Sequence, residues 1–229
     1  MADFLSLISA PRPAPTAAAG PSRLRVDNGD GRIDRTRERI LGAARSEFAE
    51  SGYFNTTVGA IARAADVSVG SVYLHFGSKR ALALWYVYDA LGVLADELAG
   101  LGRVLAPGDV LAAANEAFLR QVLDDPVAYR LWVVALADPV NEPGCEEVWE
   151  AIGQRSRGAA AQLAEDGGLL DGGVSAELVV THLLASWTGI ASMLVRVDGF
   201  AVEPAVALRA LEISVDLLSG HVGALAAGA

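Results

Sequence analysis

Few side chains in this sequence have the type and spacing that would propose a reaction. The histidines, His75, His182 and His221, stand far apart, without the paired spacing of a zinc site. The one cysteine, Cys145, lies in NEPGCEEVWE, among acidic residues that oppose the thiolate a nucleophile needs. It also excludes an intramolecular disulfide framework. DNGDGRID, Asp27 to Asp34, looks like part of a calcium loop. With Gly31 at the turn position, Asn28 and Asp30 fall on ligand positions, but Val26 and Arg37 occupy the first and last. Two of the strongest ligands are thus missing, and no metal or cofactor is expected. GxSxG, Walker and GxGxxG motifs are absent. The residues that do form a pattern lie in DVSVGSVYLHFGSK, Asp66 to Lys79, where Ser68, Gly70 and Ser71 sit among apolar and aromatic residues. A glycine inside a helix costs about 1 kcal/mol relative to alanine. Small residues repay that cost where a backbone must approach phosphates or base edges, and a serine hydroxyl bonds either.

Such a segment needs a partner helix to present it. The periodicity predicts a short helix from Thr57 to Ala64, a tight turn, and a second helix from Val69 to His75. Ile61, Ala65, Val67 and Val72 fall where the two must bury against each other, and Ala62 is small at their crossing. This spacing suits a helix-turn-helix whose second helix enters the major groove with its N-terminal end toward base edges. An ordinary helical hairpin would accept the same small residues. In the first reading, Thr56 or Thr57 caps the first helix and touches a phosphate. Lys79 meets the DNA backbone, and Val69, Leu74 and His75 complete the face offered to DNA.

The rest of the chain is expected to be all-α. Residues 1–33, rich in Pro, Ala and Gly, read as a flexible tail, 34–80 as the helix-turn-helix domain, and 81–229 as a larger helical domain. Ile40, Leu41, Ala44 and Phe48 share one face of a first helix that stops at Gly52. A long helix is predicted from Ser78 to about Leu98. Further helices follow over 108–124, 126–137, 144–165, 175–197 and 203–222, with prolines near their ends. No basic start precedes the short apolar patch near the N-terminus, so a secretory signal is not expected. LLASWTGIASMLVRV is expected to be too short to span a bilayer, and a cytoplasmic protein is predicted.

Net charge is −10, which alone argues against nucleic acid. The average hides an asymmetry. Through Arg80 there are 11 Lys/Arg against 8 Asp/Glu, a net of +3; beyond it there are 7 against 20, a net of −13. A mildly basic module therefore precedes an acidic body. Arg23, Arg25, Arg32, Arg35, Arg37 and Arg39 lie just ahead of the motif, where a flexible arm reaches phosphates or a minor groove.

Ile40 to Leu84 carries Phe48, Gly52-Tyr53, Thr56-Thr57-Val58, Ile61-Ala62, and Val67-Ser68-x-Gly70-Ser71-x-Tyr73-x-x-Phe76-x-Ser78-Lys79. This stretch resembles the DNA-binding domain of the TetR family of bacterial repressors. The resemblance implies a homodimer that binds a near-palindromic operator on double-stranded DNA. It also implies a C-terminal domain that takes up a small-molecule effector and thereby releases DNA. Ser68, Gly70, Ser71, Tyr73 and Lys79 match positions at which family members contact DNA. Two departures stand out. Asp66 replaces the usual turn glycine, and Asp tolerates left-handed backbone angles better than most residues. Val69 and Leu74 replace side chains that are often polar or basic, which suggests apolar reading of a thymine methyl.

In the body, Phe118, Tyr129, Trp132, Trp149, Trp187 and Met193 are the candidates to line a ligand pocket, with Asn115 and His182 as polar anchors. An apolar or aromatic effector fits these best; a cation would also find aromatic faces and carboxylates. The last two helices are the expected dimer interface, as a four-helix bundle. A constitutive DNA-binding dimer without effector and a small all-helical enzyme remain as alternatives.

Overall fold

The computed structural model describes residues 31–137, 142–170, 175–195 and 202–227. All regular structure among them is helical. In chain order the helices are α1 (Gly31–Asn55), α2 (Val58–Ala64), α3 (Val69–Phe76), α4 (Lys79–Leu101), α5 (Pro107–Asp124), α6 (Pro126–Ala137), α7 (Cys145–Asp166), α8 (Ala176–Leu194) and α9 (Pro204–Ala227). Arg23, Arg25 and most of the expected tail lie outside the described residues. So do the side chains of Arg32 and His221. Helix α1 starts at Gly31, three residues before Asp34, where the helical period was expected to begin.

Local chemistry sets most boundaries. Thr57, Ser68, Ser78 and Ser175 each accept a bond from the backbone N–H three residues on, which satisfies a donor the helix cannot use itself. Asp125 does the same for α6 and also accepts from the Tyr86 hydroxyl at 2.8 Å. Pro107, Pro126 and Pro204 open their helices, where a missing N–H costs nothing. Gly52 breaks α1 with a φ of 73°, so the last residues of that span form a separate turn.

Helix α4 is the axis of the molecule. Its first half is buried all round, from Arg80 to Tyr88, and Ala90, Gly92, Leu94 and Leu98 carry one buried face onward. It packs on α1 and α3 at its start and on α5, α6 and α7 along its length. One continuous core results, running from Ile40, Phe48, Ile61 and Val72 at the N-terminal end to Leu119, Ile152, Leu163 and Leu183 in the body. Helix α8, 19 residues long, is long and apolar enough by composition to cross a membrane, contrary to the expectation from its sequence. Its packing gives it another use: Val179, Leu183, Trp187 and Ala191 are buried against neighbouring helices.

Candidate nucleic-acid interface and body cavity

Helices α2 and α3 meet through Ile61, Ala62, Ala65 and Val72, all buried, as the spacing predicted. The turn between them holds Asp66 at φ 51°, the one left-handed non-glycine among the described residues. Arg39 steadies it. Its guanidinium donates to the Ala65 and Asp66 carbonyls and pairs with the Asp66 carboxylate at 3.3 Å. The outer face of α3 is left open. Ser68, Val69, Gly70, Tyr73 and Leu74 are exposed, Leu74 to 84 %, and Ser71 and His75 are half-buried beside them. Burial and the nearby Arg37 guanidinium hold His75 below the usual imidazole range.

Several residues expected at DNA also make contacts inside the domain. The Thr56 hydroxyl is buried and donates to carbonyls of α1, Gly52 at 2.8 Å among them, so it is not offered to a phosphate. Thr57 is exposed and caps α2. The Lys79 ammonium donates to the Tyr53 and Thr56 carbonyls at 2.8 and 3.0 Å and lies 4.4 Å from the Tyr53 ring centre. It thereby satisfies the end of α1, which Gly52 had broken open. Arg37, expected on a flexible arm, donates to the His75 carbonyl and lies between the Phe76 and Trp85 rings, 4.5 and 4.3 Å from their centres. Arg39 is occupied at the turn, and Arg35 is exposed near the start of α1. Phe54, 80 % exposed beside the break in α1, was not singled out in the sequence, although an aromatic residue between Gly52 and the Thr56-Thr57 cap is a visible signal.

The body holds a cavity of about 180 Å³. Phe118, Tyr129, Trp132, Trp149 and Trp187, candidates for a ligand pocket, line it together with Leu91, Leu94, Ile152, Leu184 and Ala191. The rings are ordered against one another. Phe118 and Trp187 stack at 4.9 Å with an interplanar angle of 8°, Tyr129 meets Phe118 edge-on, and Trp132 lies tilted on Trp149 at 5.5 Å. Asn115 is buried behind this wall and accepts the Trp187 indole N–H at 2.9 Å. The Asn115 amide nitrogen and the Tyr129 hydroxyl are buried with no partner. Burial pushes the Tyr129 phenol above its usual range. One expected anchor, His182, and one expected lining residue, Met193, stand elsewhere. His182 bonds Ser214 at 2.6 Å, joining α8 to α9, and Met193 is exposed on the outer side of α8.

Ser156, Arg157 and Thr188 also line the cavity and were not foreseen. Helical spacing carries the signal: Ser156 and Arg157 fall one and two turns beyond Ile152 and Trp149, and Thr188 follows Trp187 and Leu184 on α8. Among the described residues no carboxylate lines the cavity, so they offer a cationic ligand no counter-charge there. Among the described residues no three His, Cys, Asp or Glu side chains gather as a metal site.

A short helix held open on its outer face, backed by a capped partner and fixed to an all-helical body, defines a helix-turn-helix protein. Residues 40–84 match the family described as bacterial regulatory proteins, tetR family. The N-terminal domain is a TetR-family domain. The same region is similar to the HTH-type transcriptional regulator HbdR of Aromatoleum sp. (strain CIB), at 45 % identity over 47 residues, 20 % of each chain. It is likewise similar to UidR of Escherichia coli K12, at 42 % identity over 57 residues, 25 % of this chain and 29 % of that one. The matched stretch therefore spans less than a third of these relatives' length. Over about four fifths of the chain the fold is similar to that of solved TetR-family proteins. It resembles Thermus thermophilus FadR, a repressor solved in complex with lauroyl-CoA, with a TM-score of 0.63 at 23 % identity, over 80 % of this chain and 92 % of that one. It also resembles Bacillus subtilis FadR, solved in complex with stearoyl-CoA, with a TM-score of 0.61 at 17 % identity, over 78 % and 97 % of the two chains.

Proposed function

We propose that this chain is a ligand-responsive transcriptional regulator and not an enzyme. It acts as a cytoplasmic homodimer that holds a near-palindromic operator and releases it when a small apolar or aromatic compound fills the body cavity. The observation that carries the reading is the open face of α3 within a domain that matches the family: Ser68, Val69, Gly70, Tyr73 and Leu74 are exposed together among the described residues, with Ser71 half-buried beside them. The working division is a reading domain up to about residue 80 and a ligand-binding and dimerisation body beyond it. Phosphates are met by the capped N-termini of α2 and α3 and by Arg35, with Lys79 and Thr56 acting from behind as positioning residues. Two relatives in fold carry acyl-CoA ligands, which supports a body that takes up a small molecule.

Release requires the ligand to prefer a dimer whose reading helices are wrongly spaced. A tenfold loss of operator affinity needs only about 1.4 kcal/mol of preference. The test is a gel shift of the DNA upstream of the protein's own gene, with random DNA of equal length as competitor. A shift that survives competitor is expected. Equal affinity for both DNAs would overturn the reading.

A further inference from the structure

The polar groups around the cavity narrow the ligand. Tyr129 is in the wall, 3 % exposed, and its hydroxyl, able to donate or accept, has no partner. Arg157, exposed on the wall, adds a cation, and Ser156 and Thr188 add hydroxyls. Among the described lining residues Arg157 is the one charged group, and no carboxylate stands beside it. An unpaired buried hydroxyl is costly and a guanidinium bonds an anion strongly, so this wall favours a ligand that brings negatively charged acceptor oxygens. Size is the second constraint. A dry apolar cavity of about 150 Å³ takes up benzene, and this one measures about 180 Å³. Its inner part has room for one ring and a small substituent, and it opens to the surface. Five aromatic side chains in the wall, two of them stacked in parallel, favour a flat apolar body over a long chain.

We infer that the effector is a single-ring aromatic compound bearing an anionic acceptor group, of the aryl carboxylate class, with Tyr129 donating to the acceptor group and Arg157 facing its charge. The inference rests on the proposed effector role of the cavity and specifies its chemistry. It differs from a long acyl chain in length and from an aromatic amine in charge.

The experiment titrates the full-length protein with benzoate, benzylamine and lauroyl-CoA, reading tryptophan emission and operator release in parallel. Saturable quenching and release with benzoate, and neither with benzylamine, is the expected result. Tyr129→Phe should raise the benzoate midpoint about fivefold, the loss of one ordinary hydrogen bond. Arg157→Gln should raise it further at low salt than at high salt, because an exposed charge is screened. Circular dichroism checks the fold of Tyr129→Phe; if that variant fails to fold, the exposed Arg157 variant decides. Equal responses to benzoate and benzylamine would overturn the donor argument. Response to lauroyl-CoA alone would overturn the ligand class and leave the effector site standing. Silence with all three would remove the ligand class and the effector role of the cavity together, while operator binding itself would still be measured.

Discussion

In the proposed function, Leu74 is the side chain on which sequence reading of DNA most depends. It is 84 % exposed on a helix whose opposite face, Val72 and Phe76, is fully committed to the core. Its substitution therefore bears on recognition and not on folding. Leu74→Ala should leave the melting temperature unchanged and relax preference for thymine at one operator position, by roughly 1 kcal/mol if a methyl contact is lost. Selection of binding sites from random DNA by the two proteins checks this, and an unchanged preference would sink it. Lys79 behaves in the opposite way. Its charge is spent on the carbonyls at the end of α1, so Lys79→Met should cost about 1–3 kcal/mol of stability. A thermal melt reads that cost, whereas a mere phosphate contact would leave the melt unmoved. His75 adds a pH dependence. Its folded-state pKa lies below the ordinary value, so the unfolded chain takes up the proton first as pH falls. The stability linked to it is complete above about pH 7, declines as pH drops through the ordinary histidine range, and is gone below the folded value. His75→Gln should flatten that part of the stability profile. Trp187 and Trp132 also separate at this scale. Trp187 is buried, stacked on Phe118 and bonded to Asn115. Trp187→Ala would open the core, and the half-buried Trp132 is the better probe of ligand binding.

Between elements, the connection from cavity to reading helix runs through α7 and α4. Arg155 leaves α7 beside the wall residues Gly153 and Ser156 and lies across Gly92 of α4, where any Cβ would overlap its guanidinium. It donates to the Tyr88 carbonyl at 2.9 Å and covers the Tyr88 ring. Asp89, next along α4, pairs with Arg45 of α1 at 2.8 Å. Burial raises the Asp89 pKa, while Arg45 and Arg155 both act to lower it. At the start of α7, Gly144 and Pro143 press on Phe76 and Gly77, so closely that neither glycine has room for a side chain. A shift of α7 on ligand binding thus reaches both α1 and the end of α3. Arg155→Met should leave the ligand midpoint in fluorescence within twofold and reduce the factor by which ligand weakens operator binding. An unchanged factor would place the coupling elsewhere. None of these contacts was legible in the sequence. The helices were, to within a few residues, because capping serines and threonines, opening prolines and apolar periodicity are local signals. Phe118, Trp132, Trp149 and Trp187 were legible for the same reason, as aromatic residues on inward helix faces. The internal contacts of Lys79, Arg37 and Arg155 were not, because the partners of these long basic side chains, a carbonyl, a ring and a glycine notch, are supplied by distant parts of the chain.

At the scale of the whole molecule, one reading helix of eight residues would bury too little to hold an operator alone, which is why the proposed function includes a dimer. The outer faces of α8 and α9 supply a surface for it. On α8, Leu178, Ala185, Gly189 and Met193 are exposed at helical spacing; on α9, Val206, Ala210, Ile213 and Leu217 are exposed four, three and four residues apart. These stripes are apolar and small, and they run side by side because α8 and α9 pack together. A twofold axis across them would form the four-helix bundle proposed above. Residue choice decides what a test of it means. Leu211 faces the protomer's own core at 2 % exposure, so a charge there would unfold the body and say nothing about assembly. Leu218 lies outside the described side chains. Ile213 and Leu217 are the informative positions, being exposed in the protomer and central on the stripe. Ile213→Glu or Leu217→Glu should yield a folded monomer by light scattering, with near-native circular dichroism and operator affinity reduced by a hundredfold or more. The tryptophan response to ligand should survive, since the cavity is built from α4 to α8 of a single chain. A dimer that persists in both variants, with operator binding intact, would move the interface off this face. A monomer that loses its ligand response as well would show that the cavity is completed across the twofold axis.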